Sequence, residues 1–585
     1  MPITVTDDFL NSDESPIRAV AIVHCHFEPG GVTQVVQNHV NCLLRDTRVV
    51  LVSGPRTSGL RREVTDNVAS LTIDSLEYDS LQPHGIQGGE PAAAVAGRTC
   101  ATLDQELRKC GLDPSDSIIH WHNHSLGKNA AAPLVIAKLV QARWRLLLQI
   151  HDFAEDQRPA NYRHLIDRLI PADPFDLPTI SLDRILYPHD PQISYAVLTT
   201  GDADVLTGSG IAAARVHLIP NSVVLPKGGL NRTTAMQKIS DSFGVDTRSR
   251  WLLYPVRGIR RKNVGEFLLW CQLLHRKNQF GEADRPHEAV HLYVGGVTLR
   301  PTTPVEAASY NRWKEVANEW VPNVVFDVGE HPDVSFIDNL AACHCVLSTS
   351  VAEGFGMAFL EPWLVDRRVV ARDLPAVTSG FTRDGMRLTD LYASAWVPGT
   401  DDWIARMNER WRQRARQIWA GLPESMSPHA ESHDESPEDS QRLTDRIDFA
   451  RLLPADQIDV IRRVSADVAF ARDLIALNQT VIEAIESDGD DANIVHNRKI
   501  IESQYQADVQ RDQLHAGYRQ SMSQSMPGHC GTNPGGDRQS GTHEVSTDSR
   551  CHTQNSSSVD PEFPVRVIDL VNRSHPFYPC RVESL

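Results

Sequence analysis

Two series of short apolar runs, each alternating with segments of helical periodicity, set the strongest limit on how this chain can fold. The first series predicts strands at Ala19–Phe27, Arg48–Gly54, Ser117–Asn123, Arg145–Asp152, Tyr195–Thr200 and Arg215–Asn221. The second predicts strands at Trp251–Arg257, Ala289–Gly296, Val324–Gly329, Cys345–Ser350 and Arg368–Asp373. Strands that alternate with helices form parallel sheets covered on both faces. The sequence therefore predicts an α/β protein with two Rossmann-like domains that face each other, with ligands bound beyond the carboxyl ends of the strands.

A change of composition after the second series divides the chain further. We expect a flexible N-terminus at 1–16, a first Rossmann-like domain at 17–225 and a second at 226–400. Residues 401–522 predict a helical extension with a mobile, acidic Ser/Pro/His-rich linker at 423–441, and residues 523–585 a mostly disordered tail. Within the tail, the apolar segment Phe563–Tyr578 fits either a docking strand or no structure. We expect part of Arg442–Ile485 to cross back to the first domain, and the rest of the extension to serve in oligomerisation or partner docking.

Charge and cysteine usage narrow the range of partners. The net charge is −17, and only residues 226–400 are close to neutral, with a net charge of +1. An acidic chain of this kind argues against nucleic acid as a partner. The ten cysteines show no CxxC pair, which is typical of reduced, cytoplasmic proteins. We find no signal peptide and no apolar run long enough to span a membrane, and association with a membrane surface is left open.

The segment Ser348–Glu361, with the sequence STSVAEGFGMAFLE, is the most specific motif. It places two glutamates, Glu353 and Glu361, eight positions apart around a Gly-Phe-Gly turn that follows a predicted buried strand. We expect a helix to begin at Phe359. Strand, glycine turn and helix together form an arrangement in which backbone N–H groups bind anions.

This segment resembles the Glu-x7-Glu signature of retaining glycosyltransferases that use nucleotide sugars, and in particular glycosyltransferase family 4 (group 1). The resemblance covers roughly residues 18–400 and implies the GT-B architecture, in which the first domain, 17–225, would bind the acceptor and the second, 226–400, the nucleotide sugar. It implies that Glu353 binds hydroxyls of the transferred sugar and that Glu361 binds the ribose of the nucleotide. The N–H groups of Gly356 and Met357 would face the phosphate or the sugar.

Three further motifs follow the order of this family. Arg257 and Lys262, five positions apart, would neutralise the diphosphate leaving group. His151, at the end of the predicted strand LLLQIHD, would contact the donor sugar. Gly30 and Gly31 would let the backbone approach the donor phosphate. Two departures are Val256 before Arg257 and Asn263 after Lys262, where the family commonly has glycine. The base is expected against 294–296 and 328–331.

The alternating histidines His120, His122 and His124 raise the possibility of a metal site, since alternate residues of a strand share a face. Enzymes of family 4 often have a similar His-x-His sequence here and need no metal. We therefore expect no catalytic metal and no cofactor beyond the donor substrate.

The acceptor side is less determined. The polar segment 153–165 follows His151, and Glu155, Asp156, Arg158 and Tyr162 are candidates to bind a small-molecule, glycan or lipid acceptor through its hydroxyl or carboxylate groups.

The sequence thus predicts a metal-independent retaining hexosyltransferase that moves a hexose from a nucleoside diphosphate sugar to a hydroxyl acceptor. Two alternatives remain open. One is another GT-B enzyme, such as a nucleotide-sugar epimerase or a glycan phosphorylase. The other is a non-catalytic scaffold that carries the C-terminal helices.

Overall fold

The computed structural model describes residues 17–82, 89–170, 181–224, 231–284, 292–423, 426–428, 445–523 and 565–582. Its strands are β1 (Ala19–Val23), β2 (Arg48–Ser53), β3 (Ala69–Thr72), β4 (Ser117–His122), β5 (Arg145–Ile150), β6 (Ile193–Val197), β7 (Val216–Leu218), β8 (Arg250–Arg257), β9 (Tyr293–Leu299), β10 (Val324–Phe326), β11 (Cys345–Ser348), β12 (Arg368–Arg372), β13 (Leu391–Tyr392), β14 (Trp396–Pro398) and β15 (Arg446–Asp448).

The α-helices are α1 (Gly31–Leu43), α2 (Arg62–Thr65), α3 (Ala92–Lys109), α4 (Ala132–Gln141), α5 (Pro159–Leu169), α6 (Leu182–Leu186), α7 (Thr200–Gly208), α8 (Arg232–Phe243), α9 (Val264–Asp284), α10 (Pro304–Trp320), α11 (Phe336–Ala342), α12 (Pro375–Arg383), α13 (Asp401–Gln417), α14 (Pro454–Ala466), α15 (Val468–Leu477), α16 (Gln479–Glu486), α17 (Asp491–Gln504), α18 (Ala507–Ser523) and α19 (Val567–Ser574).

The first domain is built on a parallel sheet of seven strands in the order β3-β2-β1-β4-β5-β6-β7. The strand order reverses between β1 and β4, and ligands of open parallel sheets bind beyond the carboxyl ends at such a point. Every residue of β1 and β4 is buried. This explains why β1 appears in the sequence as an unbroken apolar run, while in β4 histidines stand among the apolar residues.

The second domain has a parallel sheet of six strands in the order β10-β9-β8-β11-β12-β13. Here the order reverses between β8 and β11. The loop after β8 carries Arg257 and Lys262, and the loop after β11 carries the Glu-x7-Glu signature. Two parallel sheets of this kind, covered by helices, confirm the predicted GT-B architecture of two Rossmann-like domains.

The two domains touch where α7 of the first meets α12 of the second. A Cβ atom on Gly201 would lie 2.8 Å from the carbonyl oxygen of Ala376. Only glycine fits at this point, because the two backbones approach each other too closely for a side chain.

The helices that follow residue 400 cover both domains. Val460, Ile461 and Val464 of α14 are fully buried or nearly so and join the core of the second domain with Phe267 of α9. The prediction that part of Arg442–Ile485 crosses back to the first domain is therefore wrong for its described residues. The apolar face of α14 is instead used to complete the second domain.

Several helices beyond residue 400 return to the first domain: Trp411 and Ala415 of α13 join its core, and α18 packs on its other face. Leu514 and Tyr518 are completely buried in a core that they share with Val36 of α1. Because this helix lies more than 100 residues beyond the signature, the sequence pattern alone does not indicate which domain its apolar face covers.

The C-terminal segment, residues 565–582, also packs on the first domain. Val567, Ile568 and Val571 of α19 are buried in the same core as Leu165 and Leu206. The apolar segment for which the sequence left a strand or no structure open thus forms a helix in its described part. The rest of the predicted tail, and much of the predicted linker, lie outside the described residues.

Within the described residues, no helix is long and apolar enough to cross a membrane.

Candidate active site

Buried hydrogen bonds join the loops after β8 and β11 into one unit. The Thr349 hydroxyl donates to the carbonyl oxygens of Lys262 and Asn263 at 3.2 and 3.1 Å. The Tyr254 hydroxyl bonds to Ser350 Oγ at 2.9 Å and also donates to the carbonyl of Lys262. Because these bonds are shielded from water, they fix the signature loop against the basic loop.

This arrangement brings Lys262 and Glu353 together as an ion pair between Nζ and Oε1. Only 10% of the lysine side chain and 8% of the glutamate side chain are exposed. Burial lowers the pKa of Lys262, and Glu353 opposes that effect. Burial alone would raise the pKa of Glu353, but the charges of Lys262 and Arg261 bring it below its ordinary value. Glu353 is therefore an anion held by two cations.

Arg257 differs from Lys262 because its guanidinium group is not paired with a carboxylate of the described chain. It is partly exposed, and it makes no salt bridge or side-chain hydrogen bond within the described chain. A guanidinium at the carboxyl end of a central strand, with no internal partner, is available to bind an anion bidentately.

The signature turn forms as the sequence predicts up to Gly356, whose φ of 90° lies in the left-handed region. The α-helix expected from Phe359 does not form. Two 3-10 helices, Met357–Phe359 and Glu361–Val365, take its place. Pro362 lacks an N–H group and Asp366 has a φ of 61°, so the segment cannot continue as an α-helix. The anion site at a helix N-terminus is therefore absent from the described structure of this loop.

Glu361 lines a cavity of about 680 Å³ between the two domains. Met357 lies beside it, and Gln34 and Asn38 of α1 form part of the opposite wall. Burial raises the pKa of Glu361 to about 7. Its carboxyl group has no hydrogen-bond partner within the described chain, so it can accept bonds from a ligand in the cavity.

The glycines predicted to face the donor, Gly30 and Gly31, are exposed at the start of α1. A Cβ atom on Gly31 would meet no atom within 4 Å. The helix that they begin contributes the wall of the cavity, but the structure shows no close contact that would require glycine at position 31.

The predicted base site is only partly at the cleft. Residues 294–296 lie in the interior of β9, where a Cβ on Gly296 would be 2.3 Å from the Trp251 ring. They are therefore too enclosed to receive a base. Residues 328–331 follow β10 and do lie at the carboxyl end of the sheet.

His151 follows β5 and is buried. Its Nε2 atom lies 2.8 Å from Nδ1 of His122, and its amide N–H donates to Oδ1 of Asn123 at 2.8 Å. Burial lowers the pKa of His151 to about 3, so the ring is neutral at physiological pH. A Cβ on Gly354 would lie 3.4 Å from the His151 carbonyl oxygen, which places the signature loop directly against this histidine.

A second contact across the cleft adjoins the first. Arg261 of the basic loop lies 3.7 Å from Oδ1 of Asp152, which also accepts from Arg158 Nη2 at 2.6 Å. Asp152 is thus shared by one guanidinium from each domain. The sequence does not indicate that Asp152 and Arg261 pair, because pairing depends on the orientation of the domains.

The histidines of β4 belong to a larger buried cluster. The possible ligand atoms of His39, His120 and His122 lie within 4.8 Å of one another, so these three could hold a metal ion. However, both ring nitrogens of His120 have hydrogen-bond partners, Tyr518 and Gln149, each at 2.8 Å. His124 instead bonds to the Leu186 carbonyl. A metal would have to displace an existing bond of His120.

The predicted acceptor residues separate into two groups. Arg158 lies in the cleft through its ion pair with Asp152. Glu155, Asp156 and Tyr162 are all buried away from it. Glu155 accepts from the Tyr187 hydroxyl at 2.9 Å, and burial raises its pKa to about 8.

The C-terminal segment covers this group. Arg581 Nη2 donates to Oδ2 of Asp156 at 2.7 Å, and His575 also contacts this carboxylate at 3.4 Å. Tyr162 stands edge-on to the ring of Trp419. These three residues therefore do not face an acceptor in this structure, because the chain's own C-terminal segment and core occupy their surroundings.

Comparison with known proteins gives one relative by sequence and several by structure. No protein-family model matches the chain. The chain is 24% identical over 480 residues to a mannosylglucosyl-3-phosphoglycerate synthase of Petrotoga mobilis, covering 80% of this chain and 84% of the relative.

Three solved structures resemble the fold. A sucrose-phosphate synthase of Thermosynechococcus elongatus has 14% identity and a TM-score of 0.45, covering 87% of this chain and 100% of that one. Anabaena HepE in complex with UDP and glucose has 13% identity and a TM-score of 0.44, covering 86% and 99%. A glycosyltransferase of Rickettsia africae has 11% identity and a TM-score of 0.47, covering 87% and 100%.

Proposed function

We propose that this protein is a glycosyltransferase that moves a hexose from a nucleoside diphosphate sugar to a hydroxyl group of an acceptor, with retention of the anomeric configuration and without a metal. The observation that supports this most strongly is the position of the signature loop. One short segment pairs Glu353 with Lys262, brings Gly354 close to the His151 backbone, and presents Glu361 to the cavity between the domains.

In this proposal the two ends of the loop bind different parts of the donor. The Glu361 carboxylate accepts hydrogen bonds from the ribose hydroxyls, and Arg257 and Lys262 bind the diphosphate. Lys262 is neutralised by Glu353 before the donor arrives, whereas the Arg257 side chain forms no ion pair with any described residue. Arg257 is therefore the cation that gains most when a diphosphate enters.

The reaction breaks the bond between the anomeric carbon and the β-phosphate oxygen and forms the bond to the acceptor oxygen on the same face of the sugar. The acceptor proton passes to the leaving phosphate oxygen, so no further base is required. Lys262 and Arg257 stabilise the charge that develops on the diphosphate. These two cations take the part that a divalent metal plays in other transferases, and this is the basis for proposing metal independence.

Three relatives support the donor and reaction class. The Anabaena structure contains UDP and glucose, and the Rickettsia structure is that of a glycosyltransferase. The name of the Petrotoga relative describes a synthase of a doubly glycosylated phosphoglycerate. Membership of family 4 and a cytoplasmic location, with or without contact to a membrane surface, remain predictions from the sequence.

The test is a binding screen with UDP-, GDP- and ADP-hexoses, read by the shift in melting temperature and then by calorimetry. We expect one nucleotide to stabilise the protein, and expect Glu361→Gln and Arg257→Met each to reduce that effect. Arg312→Met is the matched control, because Arg312 is an exposed residue of the same domain that pairs only with Glu315 on its own helix.

Once the donor is known, the anomeric configuration of the product is determined by NMR. A product of inverted configuration would refute retention. The absence of any shift from a folded protein would refute donor binding and would favour the scaffold alternative. Loss of transfer activity when a metal chelator is added would refute metal independence.

A further inference from the structure

On the first domain, the side chain of Tyr78 is surrounded by positive charge. The guanidinium carbon of Arg56 lies 5.4 Å from the centre of the Tyr78 ring, and Nζ of Lys128 lies 5.8 Å from it. The Tyr78 hydroxyl is held at 3.0 Å by Nε2 of His26. The ring is therefore held in place by His26, and two cations, Arg56 and Lys128, lie within cation–π distance of it.

The two cations beside this ring differ in their partners. Arg56 forms two parallel hydrogen bonds with Glu77, at 2.7 and 2.8 Å, and is neutralised by it. Lys128 forms no salt bridge or hydrogen bond through its ammonium group within the described chain. Burial of its surroundings and the charge of Arg158 both lower the pKa of Lys128. The Lys128 side chain is exposed, and an ammonium that lies near another cation would be stabilised by an anion.

Arg158 adds to this excess of positive charge. Its one carboxylate partner, Asp152, is shared with Arg261 of the second domain. Asp152 therefore cannot neutralise both guanidinium groups, and among the residues that the structure describes no carboxylate pairs with Lys128. The local excess is unusual in a chain whose net charge is −17.

The backbone holds Lys128 in place. The Lys128 carbonyl oxygen accepts from the Asp79 amide at 2.9 Å. The next residues, from Asn129 onward, are bonded to the turn that carries Tyr78: Asn129 Nδ2 donates to the carbonyls of Ser75 and Glu77 at 2.8 and 2.9 Å. The position of Lys128 relative to Tyr78 is thus set by the fold, while its side chain remains exposed.

These residues come from the loops after the five strands β1 to β5, at the edge of the sheet that faces the second domain. The same edge carries His151, which we place at the transferred sugar. An anion bound here would lie on the first-domain side of the reacting sugar, whereas Arg257 and Lys262 hold the diphosphate from the second domain.

We propose that the acceptor carries an anionic group, a phosphate or a carboxylate, and that Lys128 and Arg158 bind this group beside the ring of Tyr78. This inference rests on the proposed function for the identity of the bound molecule as an acceptor. The inference gives Lys128 a ligand, whereas the proposed donor site gives this residue no role.

The test measures binding of three probes with the same three-carbon skeleton by calorimetry: 3-phosphoglycerate, glycerate and glycerol. Each is measured with and without the nucleoside diphosphate that the donor screen identifies. We expect 3-phosphoglycerate, glycerate or both to bind and glycerol not to bind. Binding of 3-phosphoglycerate alone would identify a phosphate subsite, and equal binding of both anions a carboxylate subsite.

Lys128→Met is expected to weaken binding of the anion at least about tenfold, the effect of losing one charge-assisted hydrogen bond. Lys128→Arg should retain most of it. Lys109→Met is the matched control, because Lys109 is an exposed lysine of the same domain that pairs with Glu106 on the far end of α3. Because the Lys128 side chain is exposed and its ammonium forms no salt bridge or hydrogen bond within the described residues, its replacement should change the melting temperature little.

Two results would overturn the inference. One is that neither anion binds better than glycerol. The other is that binding is lost in Lys262→Met but kept in Lys128→Met, which would place the anion in the diphosphate site. The proposed function fails separately, through the absence of nucleotide binding, since the anion is also measured without nucleotide.

Discussion

The two loops that meet at the cleft are held in place in opposite ways. The signature loop, Ser348–Glu361, is fixed by bonds to the basic loop of the same domain, such as those of Thr349. The acceptor-side loop, 153–159, is fixed by a segment 425 residues away along the chain, through the ion pair of Arg581 with Asp156. A motif that is fixed by its own domain can be recognised from sequence, whereas a loop that is fixed by the distant C-terminus cannot.

The difference has a consequence for function. The C-terminal segment contacts both sides of the cleft, because Arg260 of the basic loop donates to the Val582 carbonyl at 3.0 Å. Cys580 also packs against Val351 of the signature loop. The donor-side residues would therefore retain their mutual bonds if the segment were absent, but the acceptor-side loop would lose its main support.

The comparison is tested most severely by ending the chain at Ser523. This truncation removes Val567, Ile568, Val571 and Phe577, which are 0–3% exposed. Each buried side chain of this size contributes about 1.5–3 kcal/mol, and a domain is stable by only about 5–15 kcal/mol. We expect the first domain to lose most of its stability, measured as a large fall in melting temperature and in the yield of soluble protein. A chain that ends at Val582 is the control.

An unchanged melting temperature in the truncated protein would show that the segment is dispensable, and the acceptor-side loop would then have to be stable without it. Retention of nucleotide binding together with loss of transfer would be the sharpest support for the contrast between the two loops.

On the donor side, Lys262→Met should lower the turnover number by roughly 10²–10³, as expected when a group that stabilises developing charge is removed. It also leaves Glu353 buried without its ammonium partner, which costs about 3–5 kcal/mol of stability. The double variant Lys262→Met with Glu353→Gln separates these effects. We expect the double variant to recover stability, measured by denaturant unfolding, and to remain inactive.

If the double variant were as unstable as the single one, the loss would come from packing and not from an unpaired charge. If the single variant kept its activity, Lys262 would have no part in binding the leaving group.

On the acceptor side, Arg581→Met should destabilise the protein by about 3 kcal/mol, since it removes one partner of a buried ion pair. Only 6% of the Arg581 side chain and 11% of the Asp156 side chain are exposed. Arg573→Met, an exposed position on α19, is the matched control. We expect the Michaelis constant for the acceptor to rise while that for the donor is unchanged.

The stability of Arg581→Met should also depend more strongly on pH than that of the wild type. In this variant, His575 is the cationic partner of Asp156 that is left among the described residues. Burial alone would lower the pKa of His575, but Asp156 raises it above the ordinary value. A raised pKa in the folded state means that this contribution is complete below about pH 6.5 and is lost as the pH rises through the folded value. Equal pH profiles for the variant and the wild type would argue against this coupling.

The success of the sequence predictions follows the same division. Both sheets and the order of their motifs were predictable, because the buried strands are mainly apolar runs, of which β1 is unbroken. The helix at Phe359 was predicted wrongly, since the left-handed Asp366 is not evident from the sequence. The short strands β3, β13, β14 and β15, of two to four residues each, were not predicted.

Contacts between distant parts of the chain account for the rest. Glu155 and Asp156 have the composition of an acceptor site, and only the packing of residues 565–582 shows that they are covered. Lys128 and Tyr78 carry no recognisable motif. They become a candidate site only when the sheet brings the loops after β3 and β4 together.

The smallest expected effect concerns Glu361 and is a pH dependence of donor binding. The pKa of its carboxyl group is raised to about 7 by burial, and only the ionised form can accept bonds from both ribose hydroxyls. Donor affinity should therefore be highest above pH 7 and fall about tenfold for each pH unit below it, because each unit reduces the ionised fraction by that factor. Glu361→Gln should bind the donor more weakly but with no such dependence, and calorimetry from pH 5.5 to 8.5, a range of about three units, measures both. If the wild type and Glu361→Gln shared one pH profile, another group would be responsible for the titration. The proposal that ionised Glu361 binds the ribose would then be wrong.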